Sequence, residues 1–134
     1  MKPFHLQIVT PDGLLFDGEA ESLLVRTGDG DVEILCGHTD LLASVGIGRA
    51  RVIENGKTRM AFCSGGFLSV EAGRVKLCAI TFEFADAIDV ERAKAAKERA
   101  EKAMTAAQDD KAERIAKAKL LRAIGRISVS EKNH

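Results

Sequence analysis

Four arginines raise the first chemical question. Arg92 and Arg99 flank a stripe of alanines (Ala93, Ala96, Ala100, Ala103, Ala107) recurring at helical spacing. Arg122 and Arg126 stand one helical turn apart beside a second face built from Ala112, Ala116, Leu120, Ala123 and Ile127. Guanidinium groups present forked donors suited to phosphate oxygens, so four of them on facing helix flanks can grip a polyphosphate. The plainer account makes Arg122 and Arg126 solvated cations near a helix C-terminus, where they favour the helix dipole. Asp89 is first a helix cap, and a hydroxyl-binding role is its second reading. Glu83 closes the last strand among apolar neighbours, where a solvent-facing carboxylate is the simple account. The residues alone leave these alternatives open.

Other chemistries have less to stand on. Gly28-Asp29-Gly30 and Ser64-Gly65-Gly66 match neither a P-loop nor a dinucleotide fingerprint between strand and helix, and they read as turns. His38 lies in a loop without a Ser or Cys nucleophile at a diagnostic spacing, and His5 and His134 sit near the termini. No HxxxH or HExxH pattern occurs, so neither zinc nor triad chemistry is supported. Cys36, Cys63 and Cys78 are widely spaced, with no CxxC, and are expected to be reduced, mostly buried thiols rather than metal ligands.

Positioning the arginines falls to two kinds of element that divide near Asp86. Up to residue 85 the chain reads as short strands between turn signals: Pro11-Asp12-Gly13, Asp17-Gly18, Gly28-Asp29-Gly30, Gly37-His38, Asn55-Gly56, Ser64-Gly65-Gly66 and Ala72-Gly73. Such spacing predicts a sandwich or flattened barrel rather than βαβ units. From residue 86 to 134 the pattern is helical. Asp89 caps a first helix, Gln108-Asp109-Asp110 breaks it, and a second helix runs from about Lys111 to Ile127 ahead of a frayed tail. Alanine stripes bury little apolar area, at about 25 cal/mol per Å², so the hairpin is expected to be detachable. Gly125 inside the last helix weakens it by roughly 1 kcal/mol relative to alanine.

Composition narrows the function classes. Lys+Arg and Asp+Glu both total 20, so no whole-chain charge draws the protein to nucleic acid or to a membrane. The balance is uneven locally, since Glu113 is the sole acid between Lys111 and Arg126. With no Trp, no Tyr and six Phe, a stacking platform for single-stranded nucleic acid is poorly supplied. The N-terminus has neither the apolar run of a signal peptide nor the bias of a transit peptide, so a soluble, cytosol-facing chain is expected, and membrane association only through a partner.

The residues also carry a resemblance. Phe4-His5-Leu6-Gln7-Ile8-Val9-Thr10-Pro11-Asp12-Gly13, Gly37-His38 and Ser64-Gly65-Gly66-Phe67-Leu68-Ser69-Val70 are similar to the β domain of the epsilon subunit of bacterial ATP synthase. Ile88-Asp89-Val90-Glu91-Arg92-Ala93 matches the I/L-D-x-x-R-A signature opening that subunit's C-terminal hairpin. Leu121-Arg122-Ala123-Ile124-Gly125-Arg126-Ile127-Ser128-Val129 resembles the end of its second helix. Each motif is weak alone; together they span the chain in the right order.

The resemblance implies a mainly β plus α fold, a β-sandwich of about ten strands followed by an antiparallel two-helix hairpin. It implies a non-catalytic rotor subunit, peripheral on the cytoplasmic face of the bacterial plasma membrane. Its sandwich would sit on the gamma subunit and the c-ring, helping couple proton flow to the catalytic head. Its helices would extend into the alpha/beta head and restrain ATP hydrolysis, the basic second helix docking on an acidic segment of the beta subunit. No cofactor is obligatory, but ATP is implied as a regulatory ligand of the folded hairpin. Carried over by position, its site would comprise Glu83, Ile88, Asp89, Arg92, Ala93, Arg99, Arg122 and Arg126. A loop expected at the rotor interface holds Glu33, Cys36 and His38, with Leu41 and Leu42 following in an apolar loop. It departs from the family's Gly-Ile-Leu-Pro-Gly-His, since Glu33 and Cys36 replace the glycine and the proline. A free-standing nucleotide sensor using the same hairpin stays open. A small hydrolase would need a nucleophile–base pair that the pattern does not offer.

Overall fold

Alternating apolar residues and glycine turns produce the strands where hydrogen-bonded partners lie within reach. A computed structural model describes residues 1–132. Among them are β1 (Phe4–Thr10), β2 (Gly13–Ala20), β3 (Ser22–Thr27), β4 (Gly30–Ile34), β5 (Leu41–Ser44), β6 (Gly48–Glu54), β7 (Lys57–Glu71) and β8 (Arg74–Phe84). A 3-10 turn, Ala85–Ala87, leads to helices α1 (Val90–Ala106) and α2 (Asp110–Lys132).

Hydrogen bonding links the strands in the order β2-β1-β8-β7-β6-β3-β4, with β5 added alongside β7. The neighbours pair antiparallel except β1 and β8, which run parallel. The first half of β7 (Lys57–Cys63) pairs with β6 and the second (Phe67–Val70) with β5, so one long strand serves both layers of the sandwich. Residues 4, 6 and 8 of β1, 23 and 25 of β3, 50 and 52 of β6, and 75, 77 and 79 of β8 point into one core between the layers.

The β plus α fold is as expected, but the strand count is not: eight strands stand among the described residues instead of ten. Two segments expected to be turns lie inside strands. Asp17-Gly18 is part of β2, paired with Gln7 and Leu6 of β1. Ser64-Gly65-Gly66 is a bend within β7, where both glycines take positive φ (70° and 106°) without breaking register against β8. The glycine at 66 is obligatory, because a Cβ there would stand 1.9 Å from the Cys78 carbonyl oxygen. Leu41-Leu42-Ala43, expected as a loop, forms the edge strand β5. The tail expected to fray from Ser128 continues as helix to Lys132, because Val129 and Ser130 are buried.

Candidate anion-binding cleft

The hairpin begins where the sandwich ends. Asp89 precedes α1 with extended backbone, and its Oδ1 accepts the Arg92 N–H at 3.0 Å, the cap foreseen from its residue type. Asp109 caps α2 likewise, its Oδ1 accepting the Ala112 N–H at 2.7 Å. Between the helices Ala93 and Ala100 of α1 and Ala116 and Ala123 of α2 are buried, so the small-residue faces meet closely. The last turns of α2 lie against the sandwich, where Val129 joins Phe62, Ala85 and Ile88 in a second, smaller apolar cluster.

A cleft of about 440 Å³ opens where α1, α2 and the end of β8 converge. Arg92, Arg99 and Arg126 line it, with Glu83, Asp89, Ala87, Ala93 and Ala96. Three cations thus face two carboxylates. Arg126 is held in place, its Nε donating to Glu83 Oε1 at 2.8 Å and its guanidinium lying 4.9 Å from the Phe62 ring centroid. Arg92 and Arg99 are exposed and stand about two turns apart on α1.

Six of the eight positions expected to form the site meet in this cleft: Glu83, Asp89, Arg92, Ala93, Arg99 and Arg126. The other two stand apart. Arg122 is half-buried on α2 and does not line the cleft, and Ile88 turns inward to pack beside Phe62 and Val129. Reading the sequence by helix flanks missed Phe62, which supports the Arg126 guanidinium from the β domain. Its signal was a large apolar residue between Ala61 and Cys63, on the strand face opposite the one those two residues fill.

The residues expected at the rotor interface fall on β4, β5 and the segment between them. Glu33 lies on β4, where its Oε1 accepts the buried Ser22 hydroxyl at 2.9 Å and meets Arg51 Nη2 at 3.2 Å. Cys36 is exposed, and His38 Nδ1 lies 2.7 Å from the Thr39 carbonyl oxygen. Leu41 packs against the core, whereas Leu42 is 74% exposed on the edge strand. Among the described residues no helix is long and apolar enough to cross a membrane. Nor is any group of three or more His, Cys, Asp or Glu side chains there placed to hold a metal ion.

Comparison with known proteins gives the arrangement a context. Residues 3–85 match the beta-sandwich domain of the ATP synthase delta/epsilon chain, and residues 86–131 match its long alpha-helix domain. An ATP synthase epsilon chain of Bacillus velezensis is 42% identical over 130 residues, covering 97% of this chain and 98% of that one. The epsilon chain of Bacillus pumilus is 37% identical over 132 residues, covering 98% and 100%. Among solved structures, a chain of the Euglena gracilis mitochondrial ATP synthase (OSCP/F1/c-ring) superposes with a TM-score of 0.82 at 22% identity, over 98% of this chain and 82% of that one. A chain of the Tetrahymena thermophila mitochondrial ATP synthase central stalk and c-ring gives 0.64 at 13% identity, over 96% and 94%. At those identities the structural likeness speaks for the fold.

Proposed function

Because this chain belongs to the ATP synthase delta/epsilon chain family, we propose that it is a non-catalytic rotor subunit whose folded hairpin binds ATP. The sandwich docks on the gamma subunit and the c-ring, at the cytoplasmic face of the membrane, so that proton flow and the catalytic head turn together. The hairpin takes either a compact form on the sandwich or an extended form that reaches the alpha/beta head and restrains ATP hydrolysis.

One observation carries the nucleotide reading: the hairpin and the strand end together build a cleft of nucleotide size lined by three arginines. Arg92 and Arg99 supply mobile forked donors for phosphate oxygens, beside the amide-rich start of α1 that itself favours an anion. Ala93 and Ala96 form a smooth wall on which a flat base can lie. Asp89 and Glu83 offer acceptors for ribose or base donors. The cleft exists only while α2 lies beside α1 on the sandwich. ATP therefore favours the compact form by at most its differential affinity for that form, and the extended, inhibitory population falls accordingly.

An ATP titration of the full chain by calorimetry, with Arg99→Ala and Arg122→Ala alongside, tests this. Saturable binding that fails in Arg99→Ala supports the cleft, and Arg122→Ala reports whether a residue outside it also contributes. No heat at millimolar ATP overturns nucleotide binding. The rotor reading is tested separately by deleting residues 89–134 in the assembled complex. Relief of ATP hydrolysis with the gamma subunit still bound is expected, and loss of assembly would overturn that division of labour.

A further inference from the structure

We infer that Gly125 and Phe62 form the seat that holds the hairpin on the sandwich and aims Arg126 into the cleft; this rests on the reading above that the cleft takes a nucleotide polyphosphate. Phe62 lies on β7 between Ala61 and Cys63, which both belong to the sandwich core, so its ring points the other way. An outward phenylalanine would ordinarily meet solvent, yet Phe62 is 0% exposed, because α2 lies over it. The surface that α2 covers is therefore built for the helix.

Gly125 is what lets the helix come so close. A Cβ built there would stand 2.6 Å from Phe62 Cε1 and 3.0 Å from Cδ1. The ring has no room to swing aside, since Ala85, Ile88 and Val129 pack around it. Any larger residue at 125 must lift the helix. Arg126 follows directly in the chain. Its guanidinium reaches the same ring and the Glu83 carboxylate, which stands opposite Phe62 on β8. Lifting the helix therefore withdraws a cleft arginine without altering any residue that lines the cleft. Gly125 and Phe62 are positioning residues: they act on the ligand through Arg126 and through the compact form itself.

The two accounts of Gly125 predict opposite signs. If it is merely a weak point in α2, alanine, the better helix former, should strengthen the helix and its protection. If it is the seat, alanine should release the hairpin. Amide hydrogen exchange of the full chain, wild type against Gly125→Ala, distinguishes them. Expected are faster exchange over residues 120–132, unchanged protection in β1 and β8, and ATP and inorganic tripolyphosphate affinities at least about fivefold weaker. Adding Phe62→Leu to Gly125→Ala removes the ring edge and is expected to restore helix protection, with affinity recovered only in part, because Arg126 keeps Glu83 but loses the ring. Unchanged or greater helix protection in Gly125→Ala overturns the seat, as does failure of the second substitution to rescue. Loss of β1 and β8 protection would also overturn it, by showing that the contact belongs to the core and is not separable. If the wild-type chain binds no ATP, the nucleotide reading falls, while the exchange pattern still decides the seat.

Discussion

Phe62 and Glu83 stand directly opposite one another on β7 and β8, and Arg126 of α2 engages both, the carboxylate at 2.8 Å and the ring centroid at 4.9 Å. Cross-strand neighbours share a sheet face, so the pair offers one apolar and one acidic contact to a single side chain. Arginine suits this place because its planar group can stack and donate at once, which the compact lysine ammonium cannot. One residue of α2 thus both contacts the sandwich and lines the cleft.

That double engagement gives a first prediction. Glu83 and Arg126 are each about a third exposed (32% and 27%), so their pair is only partly screened by water. A double-mutant cycle with Glu83→Ala and Arg126→Ala, read by urea unfolding, should yield a coupling of about 1 kcal/mol that shrinks with salt. Arg126→Lys should recover the ionic part alone. Additive effects of the two alanines would mean that the contact contributes nothing to the compact form.

The bend in β7 gives a second. Gly66→Ala must place a Cβ against the Cys78 carbonyl in a backbone of φ 106°, a clash with backbone that no side-chain rotation relieves. Its expected cost exceeds about 3 kcal/mol, enough to threaten folding. Gly73→Ala has φ 79° but open space around the new methyl, so only the left-handed backbone is penalised, by about 1 kcal/mol. Thermal melts of the two variants should therefore separate widely. Equal melting points would mean that β7 bends differently.

Why the bend was not legible as such follows from the same contrast. Asn55-Gly56 announces its hairpin because both residues take positive φ (51° and 74°), the geometry that dipeptide favours, and local chemistry suffices. Ser64-Gly65-Gly66 has an equally strong local signal, but whether it reverses the chain or only bends it depends on the pairing of β7 with β5 and β8, which the three residues themselves do not encode. Leu41–Ser44 is too short for its alternation to register, and only its pairing with β7 makes it a strand. The tail beyond Ser128 looked free because its buried partner, Phe62, belongs to the other half of the chain. In the cleft, the capping Asp89 and the helix-borne Arg92 and Arg99 could be read from spacing. Leaving Arg122 aside while engaging Arg126 is a consequence of how α2 sits on Phe62, which no local pattern encodes.

Two leucines on the same pair of strands give a third prediction. Leu68 is fully buried in the sandwich core, whereas Leu42 is 74% exposed on β5, which pairs with that part of β7. Leu68→Ala should cost about 2–5 kcal/mol through the cavity it leaves. Leu42→Ser should change stability by less than about 0.5 kcal/mol. If the edge strand faces the rotor, Leu42→Ser should nevertheless weaken binding to the gamma subunit and the c-ring in a pull-down of the assembled complex. Undiminished binding would remove Leu42 from that interface.

The cysteines give the fourth. Burial pushes the Cys63 thiol up from 9.0 to about 12, while Cys36 is exposed. The folded state therefore holds the Cys63 proton between those two values when the unfolded state has released it. Its contribution to stability is full below about pH 9, falls as pH rises through that window, and is gone above about 12, with a limiting slope of about 1.4 kcal/mol per pH unit. A Cys63→Ala variant should lose that component of the alkaline decline in urea midpoints. At pH 8 a thiol reagent should label Cys36 at once and Cys63 only as fast as the sandwich opens, because the thiolate is the nucleophile and the site admits no reagent. Rapid labelling of Cys63 in the native chain would mean that β7 opens locally near its glycine bend, and that the core beneath Phe62 is looser than its burial implies.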